Sequence, residues 1–147
     1  MATLSSDLIW EITRGTSSTL VKRKQAGGQQ FSRDALNLKN SYRRKYEGMV
    51  SNKSVGIKAG EDGSVILLTK KPGKENQPSA QIQSTTFGSK KSSRKTYSAI
   101  ANSTHKYRPD LLKEAVVRAS AIRKTSKPVK KDQPTKLRGA KAKAAKA

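Results

Sequence analysis

Residues 105–128, HKYRPDLLKEAVVRASAIRKTSKP, form the segment in which the start, the buried face and the end of a helix can all be read. Pro109 suits the first position of a helix, because its fixed φ is helical and its missing N–H would have no intrahelical partner there. Pro128 ends the element. Apolar side chains recur between the two prolines at spacings of three and four: Leu112, Ala115, Val116, Ala119 and Ile122. This spacing predicts a helix that buries one face against the rest of the protein.

The cations of this helix lie mostly away from its apolar face. Lys113 and Lys124 fall on the opposite side, and Arg118 lies on the flank. Arg123 lies near the apolar face but in the last turn, where a long side chain can extend its charged end into solvent. A helix docked by its apolar face is therefore expected to present these cations outward.

Two further elements can be read in the first half of the chain. Residues 5–7 supply helix N-cap side chains and are followed by Leu8, Ile9 and Ile12 at helical spacing, which predicts a short N-terminal helix. Alternating apolar residues over 55–59 and 65–69 flank the turn sequence GEDG and predict a β-hairpin. The second of these strands is apolar on both faces and is therefore expected to be central. The segment around Leu20 is a candidate for its other neighbour.

Together these patterns predict an α+β fold, in which a small antiparallel sheet packs with the N-terminal helix and with C-terminal helices. Residues 1–71 are expected to hold the first helix and the sheet core, and residues 94–126 the C-terminal helices that pack on the same domain. Residues 72–93 are rich in Ser, Gln, Thr and Lys and are expected to be a flexible connector. Phe87 in this connector either packs back on the domain or inserts into a partner. Residues 127–147 are expected to be a basic extended tail.

The charge balance indicates a polyanionic partner. The 147 residues include 32 Lys+Arg and 10 Asp+Glu, which gives a net charge of +22. Only 33% of residues are hydrophobic, and the mean hydropathy is −0.79. Such a like-charge excess opposes compaction, and binding to the phosphates of a nucleic acid would neutralise it.

Several function classes are disfavoured by what the composition omits. Cysteine is absent and His105 is the only histidine, so thiol chemistry, disulfides and a histidine-based metal site are not expected. The acidic residues are scattered, without a pair placed for acid–base catalysis. No enzyme activity, cofactor or small-molecule substrate is therefore predicted. The N-terminus does not resemble a secretory signal, and no apolar run approaches the roughly 18 residues of a membrane span, so no membrane partner is predicted.

Residues 37–46, NLKNSYRRKY, interleave tyrosines with cations. This mixture suits RNA, because cations meet phosphates while tyrosine rings can stack on unpaired bases and asparagine amides can bond base edges. The alternative is a solvated basic loop whose Tyr42 and Tyr46 cover the core. RNA contact is the favoured interpretation for Arg43, Arg44 and Lys45, and for the two tyrosines both interpretations stay open.

Several stretches, in their order and spacing, resemble the eukaryotic large-subunit ribosomal protein L28e family. The stretches are LIW at residues 8–10, SSTLVKR at 17–23, NLKNSY at 37–42, KSVGI at 53–57, KYRPDL at 106–111, RASAI at 118–122 and KPV at 127–129. The resemblance implies a structural constituent of the cytosolic large (60S) subunit that binds ribosomal RNA, with neighbouring 60S ribosomal proteins as further partners. It also implies a cytoplasmic ribosome location with nucleolar transit during assembly.

Two alternative functions stay open at this point. A related domain occurs in a nucleolar ribosome-assembly factor, and residues 141–146, KAKAAK, resemble the tail of a linker histone. Under the favoured interpretation, cations beside the sheet and cations of the last helix bind and bridge separate RNA segments. The predicted RNA-binding residues are Lys22, Arg23, Lys24, Lys39, Asn40, Tyr42, Arg43, Arg44, Lys45, Lys53, Lys106, Tyr107, Arg108, Arg118, Arg123, Lys124, Lys127, Lys130 and Lys131.

Overall fold

The computed structural model describes residues 4–74, 77–129, 131–132, 138–139 and 144. Three α-helices and five β-strands make up its regular structure, which confirms the predicted α+β class. The helices are α1 (Ser6–Thr13), α2 (Ser93–Tyr107) and α3 (Leu112–Thr125). The strands are β1 (Leu20–Arg23), β2 (Gln29–Ser32), β3 (Val55–Ala59), β4 (Val65–Lys70) and β5 (Ile82–Phe87).

The predicted hairpin is confirmed as strands β3 and β4, which pair antiparallel with Ile57 opposite Leu67. A single 3₁₀ turn joins them, in which Asp62 and Gly63 have φ of 53° and 70°. These left-handed conformations explain the turn chemistry of the sequence, since Asp and Gly tolerate them better than most residues. β4 is the central strand of a three-stranded sheet in the order β3-β4-β5, as its apolar character on both faces predicts.

The prediction of a flexible connector over residues 72–93 is wrong for residues 82–87, which form β5. This strand pairs with β4 along its whole length, from Lys70 opposite Ile82 to Val65 opposite Phe87. Five of its six residues are exposed and only Phe87 is buried. β5 is thus an edge strand that backbone hydrogen bonds hold in place, and its polar side chains gave no alternating apolar signal. Phe87 packs back into the core.

The segment around Leu20 does not join the three-stranded sheet, contrary to the suggestion from sequence. It forms β1, which pairs antiparallel with β2 in a separate two-stranded ribbon with Lys22 opposite Gln30. Gly27 and Gly28 lie between the strands with φ of 67° and 74°. Glycine adopts such conformations without steric cost, so this pair allows the ribbon to turn.

The C-terminal helices cover one face of the three-stranded sheet. A buried cluster joins Val55, Ile57, Val65, Leu67 and Phe87 of the sheet to residues of both helices and of the turn between them: Ile100, Leu111, Ala115 and Ala119. The alanines of the predicted apolar face are fully buried because their small side chains allow close approach. Leu112, Val116 and Ile122 are only partly buried.

The helix predicted to begin at Pro109 begins with a short 3₁₀ turn, Pro109–Leu111, before α3 proper. The residues before it belong to α2, whose N-terminus Ser92 caps by accepting a hydrogen bond from the Lys95 backbone N–H. Most of the predicted basic tail, including Lys130, lies outside the described residues. The division of the chain at residues 71, 93 and 126 stays a prediction. Within the described part of the chain, no helix is both long enough and apolar enough to span a membrane.

Candidate nucleic-acid interface

The structure corrects the prediction that the charged end of Arg123 extends into solvent, while its predicted RNA contact stays a prediction. The residue is only 7% exposed. Its Nη1 donates to the Ser89 carbonyl at 2.9 Å, and its Nη2 donates to the carbonyls of Gly88 at 2.8 Å and Lys91 at 3.1 Å. The sequence could not show this, because these acceptors are backbone carbonyls of a loop about 30 residues away in sequence. Arg123 therefore holds the loop after β5 onto α3.

Arg44 is likewise engaged within the protein. Its Nε donates to Asp7 Oδ1 at 2.8 Å, while Nη1 donates to Ser51 Oγ at 2.7 Å and Nη2 to Ser6 Oγ at 2.8 Å. The partners lie at the start of α1 and in the segment before β3. The guanidinium thus joins α1 to this segment, with one hydrogen bond from each of its three nitrogens.

Arg108 is a third arginine that the fold uses. It makes a two-pronged pair with Asp110, with Nε to Oδ1 at 3.0 Å and Nη2 to Oδ2 at 2.6 Å, and also donates to the carbonyls of Lys45 and Lys53. The hydrogen bonds from Arg108 hold the pKa of Asp110 below its ordinary value. This side chain connects the turn before α3 to the segment that carries the predicted RNA-binding tyrosines.

The predicted tyrosines are also engaged within the protein. Tyr42 is buried, and its ring centroid lies 4.9 Å from that of Trp10, which agrees with the alternative in which this tyrosine covers the core. Tyr107 donates from its hydroxyl to the Lys70 carbonyl at 2.8 Å, and burial raises its pKa. Tyr46 is half-buried and donates to Glu114 at 3.1 Å. Tyr42 therefore lies in the core, and the hydroxyls of Tyr46 and Tyr107 are engaged within the protein.

Three lysines of the same region lie over these rings while remaining exposed. Lys39 and Lys45 place their ammonium groups 5.6 and 5.4 Å from the centroid of Tyr46, and Lys53 lies 5.8 Å from that of Tyr107. Lys45 also pairs with Glu114 at 3.1 Å, and this hydrogen bond raises its pKa. The rings orient these cations without removing them from solvent.

The β1–β2 ribbon presents cations of a different kind. Lys22, Arg23 and the adjoining Lys24, here called the ribbon cluster, are exposed and make no ion pair within the described residues. Phe31 is 37% exposed and stands opposite Val21, on the same face of the ribbon as Arg23. The sequence did not single out Phe31, although an aromatic ring beside exposed cations is the arrangement that unpaired bases stack on.

A second cationic feature is a cleft of about 360 Å³ between the segment after β2, strand β3 and helix α3. Arg33, Lys58 and Arg118 line it together with Asn40, and Asp34 is the one acidic side chain in its lining. Arg118 Nε is buried and has no hydrogen-bond partner within the described residues. Arg33 and Lys58 were not predicted as site residues. Lys58 could have been found from the sequence by its position between Ile57 and Ala59 of the hairpin, because alternation along a strand turns it to the other face.

The remaining predicted cations are exposed side chains without a shared cleft in the described part of the chain. They are Arg43, Lys106, Lys124, Lys127 and Lys131. The described residues contain no cluster of three or more acidic or histidine side chains that could hold a metal ion. The structure therefore brings Asn40 and Arg118 together, leaves the ribbon cluster exposed, and engages three of the predicted arginines and two of the predicted tyrosines in contacts within the protein.

Comparison with known proteins identifies the family to which these features belong. The model of the ribosomal L28e protein family matches residues 8–125. The chain belongs to this family. Among curated relatives, the large ribosomal subunit protein eL28 of Schizosaccharomyces pombe is 38% identical over 129 residues, which cover 86% of this chain and 96% of that protein.

Membership in the family confirms the resemblance read from the sequence stretches. It makes the chain a ribosomal protein, a structural component of a ribosomal subunit and not an enzyme. The family match includes the ribbon, the cleft and both C-terminal helices, and ends at Thr125, the last residue of α3. Both cationic features described above therefore lie within the part of the chain that the family defines.

Proposed function

We propose that the chain is a structural constituent of the cytosolic large ribosomal subunit and that it binds ribosomal RNA there. Family membership and the likeness to a large-subunit protein support the location. The net charge of +22 supports a polyanionic partner, because neutralisation by phosphates relieves repulsion and releases counterions. The family favours the ribosome over the linker-histone alternative.

The observation that carries RNA contact is the ribbon cluster. Lys22, Arg23 and Lys24 are exposed cations that no carboxylate of the described residues pairs with, so binding phosphate requires no internal ion pair to break. Phe31 adds a ring on which an unpaired base can stack, the role that one of the two interpretations assigned to Tyr42. RNA contact at this ribbon is thus both electrostatic and stacking in character.

The cleft provides a second contact. Its three cations surround a space large enough for a phosphate and its sugar, and Asn40 offers an amide beside them. Arg118 Nε supplies a donor that has no partner within the described residues. The ribbon and the cleft, with the exposed lysines of the C-terminal helices, bind and bridge separate RNA segments. Neighbouring proteins of the subunit are the other partners, and transit through the nucleolus accompanies assembly.

Sedimentation of a cell lysate through a sucrose gradient tests the location, with this chain followed before and after a high-salt wash. The expected result is a stoichiometric presence on large subunits and on polysomes that survives the wash. Presence only on nuclear precursor particles would favour the assembly-factor alternative, and co-purification with chromatin would contradict the ribosomal proposal.

Competition between structured large-subunit RNA and duplex DNA tests the partner. The full chain is bound to labelled RNA, and unlabelled RNA or DNA of equal phosphate content is added at fixed salt. RNA is expected to displace the label at much lower concentration. Equal displacement by duplex DNA would leave the charge as the only determinant and contradict recognition of RNA.

A further inference from the structure

A groove of about 500 Å³ lies on a part of the molecule that the proposed RNA contacts do not use. Helix α1 forms one wall with Ile9 and Thr13, and the segment before β3 forms another with Met49 and Val50. Here it is called the α1 groove. Its lining is predominantly apolar in character, and it is open to solvent along one side.

Exposed apolar side chains adjoin this groove. Leu8, Ile12 and Met49 are 51%, 70% and 59% exposed, and Leu4 just before α1 is exposed as well. On a helix, Ile12 lies between the positions of Leu8 and Ile9, so the exposed stripe continues into the groove wall. These four are half of the eight large apolar side chains that are exposed in the described residues. Such a concentration on one face indicates an interaction surface.

Glu47 lies in the groove lining with an unusual environment for a carboxylate. The residue is 2% exposed, and its Oε2 has no hydrogen-bond partner within the described residues. Burial raises its pKa, and the charge of Asp34 adds to this effect. The charges of Lys70 and Arg44 act in the opposite direction on this pKa, and the Lys70 ammonium also donates to the carbonyls of Met49 and Ser51 at 2.9 Å each. A buried acceptor of this kind is stabilised by an incoming N–H donor.

The local charges disfavour RNA as the occupant. Around α1, Asp7 pairs with Arg44 and Glu11 with Arg14, so this face is close to neutral in a chain of net charge +22. Glu47 would repel phosphates. Trp10 and Tyr42 cover one another and are both nearly buried, so neither ring offers a face on which a base could stack.

We propose that the α1 groove and its exposed stripe form the docking site for a segment of a neighbouring ribosomal protein. The segment inserts apolar side chains against Leu8, Ile12 and Met49 and directs a lysine or arginine toward Glu47. A basic, partly apolar segment satisfies both the carboxylate and the exposed apolar area. The inference rests on the proposed function for the presence of such a neighbour, and it assigns to this face a partner other than RNA.

Photo-crosslinking within assembled subunits tests the proposal. The chain is expressed with benzoylphenylalanine in place of Met49, large subunits are purified and irradiated, and the adduct is treated with ribonuclease or protease. The expected adduct resists ribonuclease and maps to a ribosomal protein segment that contains a lysine or arginine close to the linked residue. An adduct with RNA, or no adduct, would overturn the proposal.

Two further variants measure the contributions of charge and apolar area. Glu47→Gln keeps the size of the side chain and is expected to lower the adduct yield at least about threefold, because a charged hydrogen bond is lost. Ile12→Ser, at an exposed position that the fold does not need, is expected to lower it similarly. Full yield with both variants would show that neither feature holds the segment and would overturn the proposal.

A crosslinker at Lys24 distinguishes failure of the docking proposal from failure of the proposed function. In the same subunits, that position is expected to give an adduct with ribosomal RNA. RNA adducts at both positions contradict docking alone, whereas loss of the RNA adduct at Lys24 with a protein adduct at Met49 contradicts the RNA contact alone. Failure of the chain to enter subunits contradicts the proposed function and, with it, the docking proposal.

Discussion

The β1–β2 ribbon and the loops that arginines hold in place both involve cationic side chains, but the surroundings of these side chains differ. On the ribbon, Lys22, Arg23 and Lys24 are exposed and unpaired within the described residues. At the loops, the guanidinium groups of Arg44, Arg108 and, from α3, Arg123 donate to carboxylates, hydroxyls and backbone carbonyls. A positive charge alone therefore does not identify an RNA-binding residue. The acceptors around each cation within the protein decide whether it is available to RNA.

This difference has a physical reason. Each arginine brings five N–H donors, and loops without regular structure have carbonyls that need donors. Arg123 supplies three such carbonyls after β5, where the chain leaves the sheet. The ribbon needs no such help, because its two strands satisfy one another through their own backbone hydrogen bonds.

The largest expected effect comes from removing the buried arginine. Arg123→Met leaves the carbonyls of residues 88, 89 and 91 without their donor, and is expected to lower the free energy of unfolding by about 2–4 kcal/mol. The neighbouring Lys124→Met is the matched control, since Lys124 is exposed, and is expected to change it by less than about 0.5 kcal/mol. Urea unfolding of the full chain measures both. Equal changes in the free energy of unfolding would contradict the distinction between cations that hold the fold and exposed cations.

The cleft variant tests the exposed side of the comparison. Replacing Arg33 and Lys58 together by alanine is expected to reduce the slope of log K against log[salt] for RNA by about 1.5, at roughly 0.7–0.9 per phosphate contact. Binding titrations at several salt concentrations provide the slope. An unchanged slope would exclude both residues from the interface and leave the ribbon as the RNA contact.

Glu47→Gln examines a buried charge of the opposite sign. Because the pKa of Glu47 is raised in the folded state, the folded chain binds more protons than the unfolded chain above the ordinary value of 4.5. Stability of the natural chain therefore falls as pH rises through this window. The variant is expected to be more stable than the natural chain at pH 7, with the difference disappearing toward pH 4. A constant difference across pH would show that the charge is not the cause.

The smallest effect is expected at the Arg108–Asp110 pair, because Asp110 is well exposed. Asp110→Asn is expected to cost about 0.5 kcal/mol at neutral pH, the typical value for an exposed pair. The lowered pKa of Asp110 means that this stability is present above the ordinary value of 3.8 and is lost as pH falls through the lowered value. Unfolding of the variant should lack this acid-dependent part. Retention of the full pH dependence would place its origin elsewhere.

Much of the fold could be predicted from local patterns. The hairpin of β3 and β4 follows from alternation and turn residues, and α1 and α3 follow from caps and apolar spacing. β5 could not be predicted, because a polar edge strand is held by backbone pairing to β4 and its sequence, IQSTTF, shows little burial pattern. The C-terminal helices were expected to begin at residue 94, and α2 begins at Ser93, but the break between α2 and α3 was not predicted.

The candidate site was predictable only where the exposure of a side chain follows from the residues next to it in sequence. The ribbon cluster lies at the end of a short strand and the start of the turn that follows it, where its cations are exposed. The hydrogen bonds of Arg44, Arg108 and Arg123 are made mostly to acceptors distant in sequence, which composition and spacing do not reveal. The cleft joins Arg33, Lys58 and Arg118 from three separate elements, so only the tertiary structure could bring them together.

The most direct measurement is the salt dependence of RNA binding for a ribbon variant beside an arginine variant. Replacing Lys22, Arg23 and Lys24 together by alanine is expected to reduce the slope of log K against log[salt] by about 2–3, at roughly 0.7–0.9 per contact, with the urea unfolding midpoint unchanged. Arg108→Ala is expected to keep the slope and to lower the unfolding midpoint. If the ribbon variant keeps the full slope, or if Arg108→Ala reduces it equally, the division between cations that bind RNA and cations that hold the fold is contradicted.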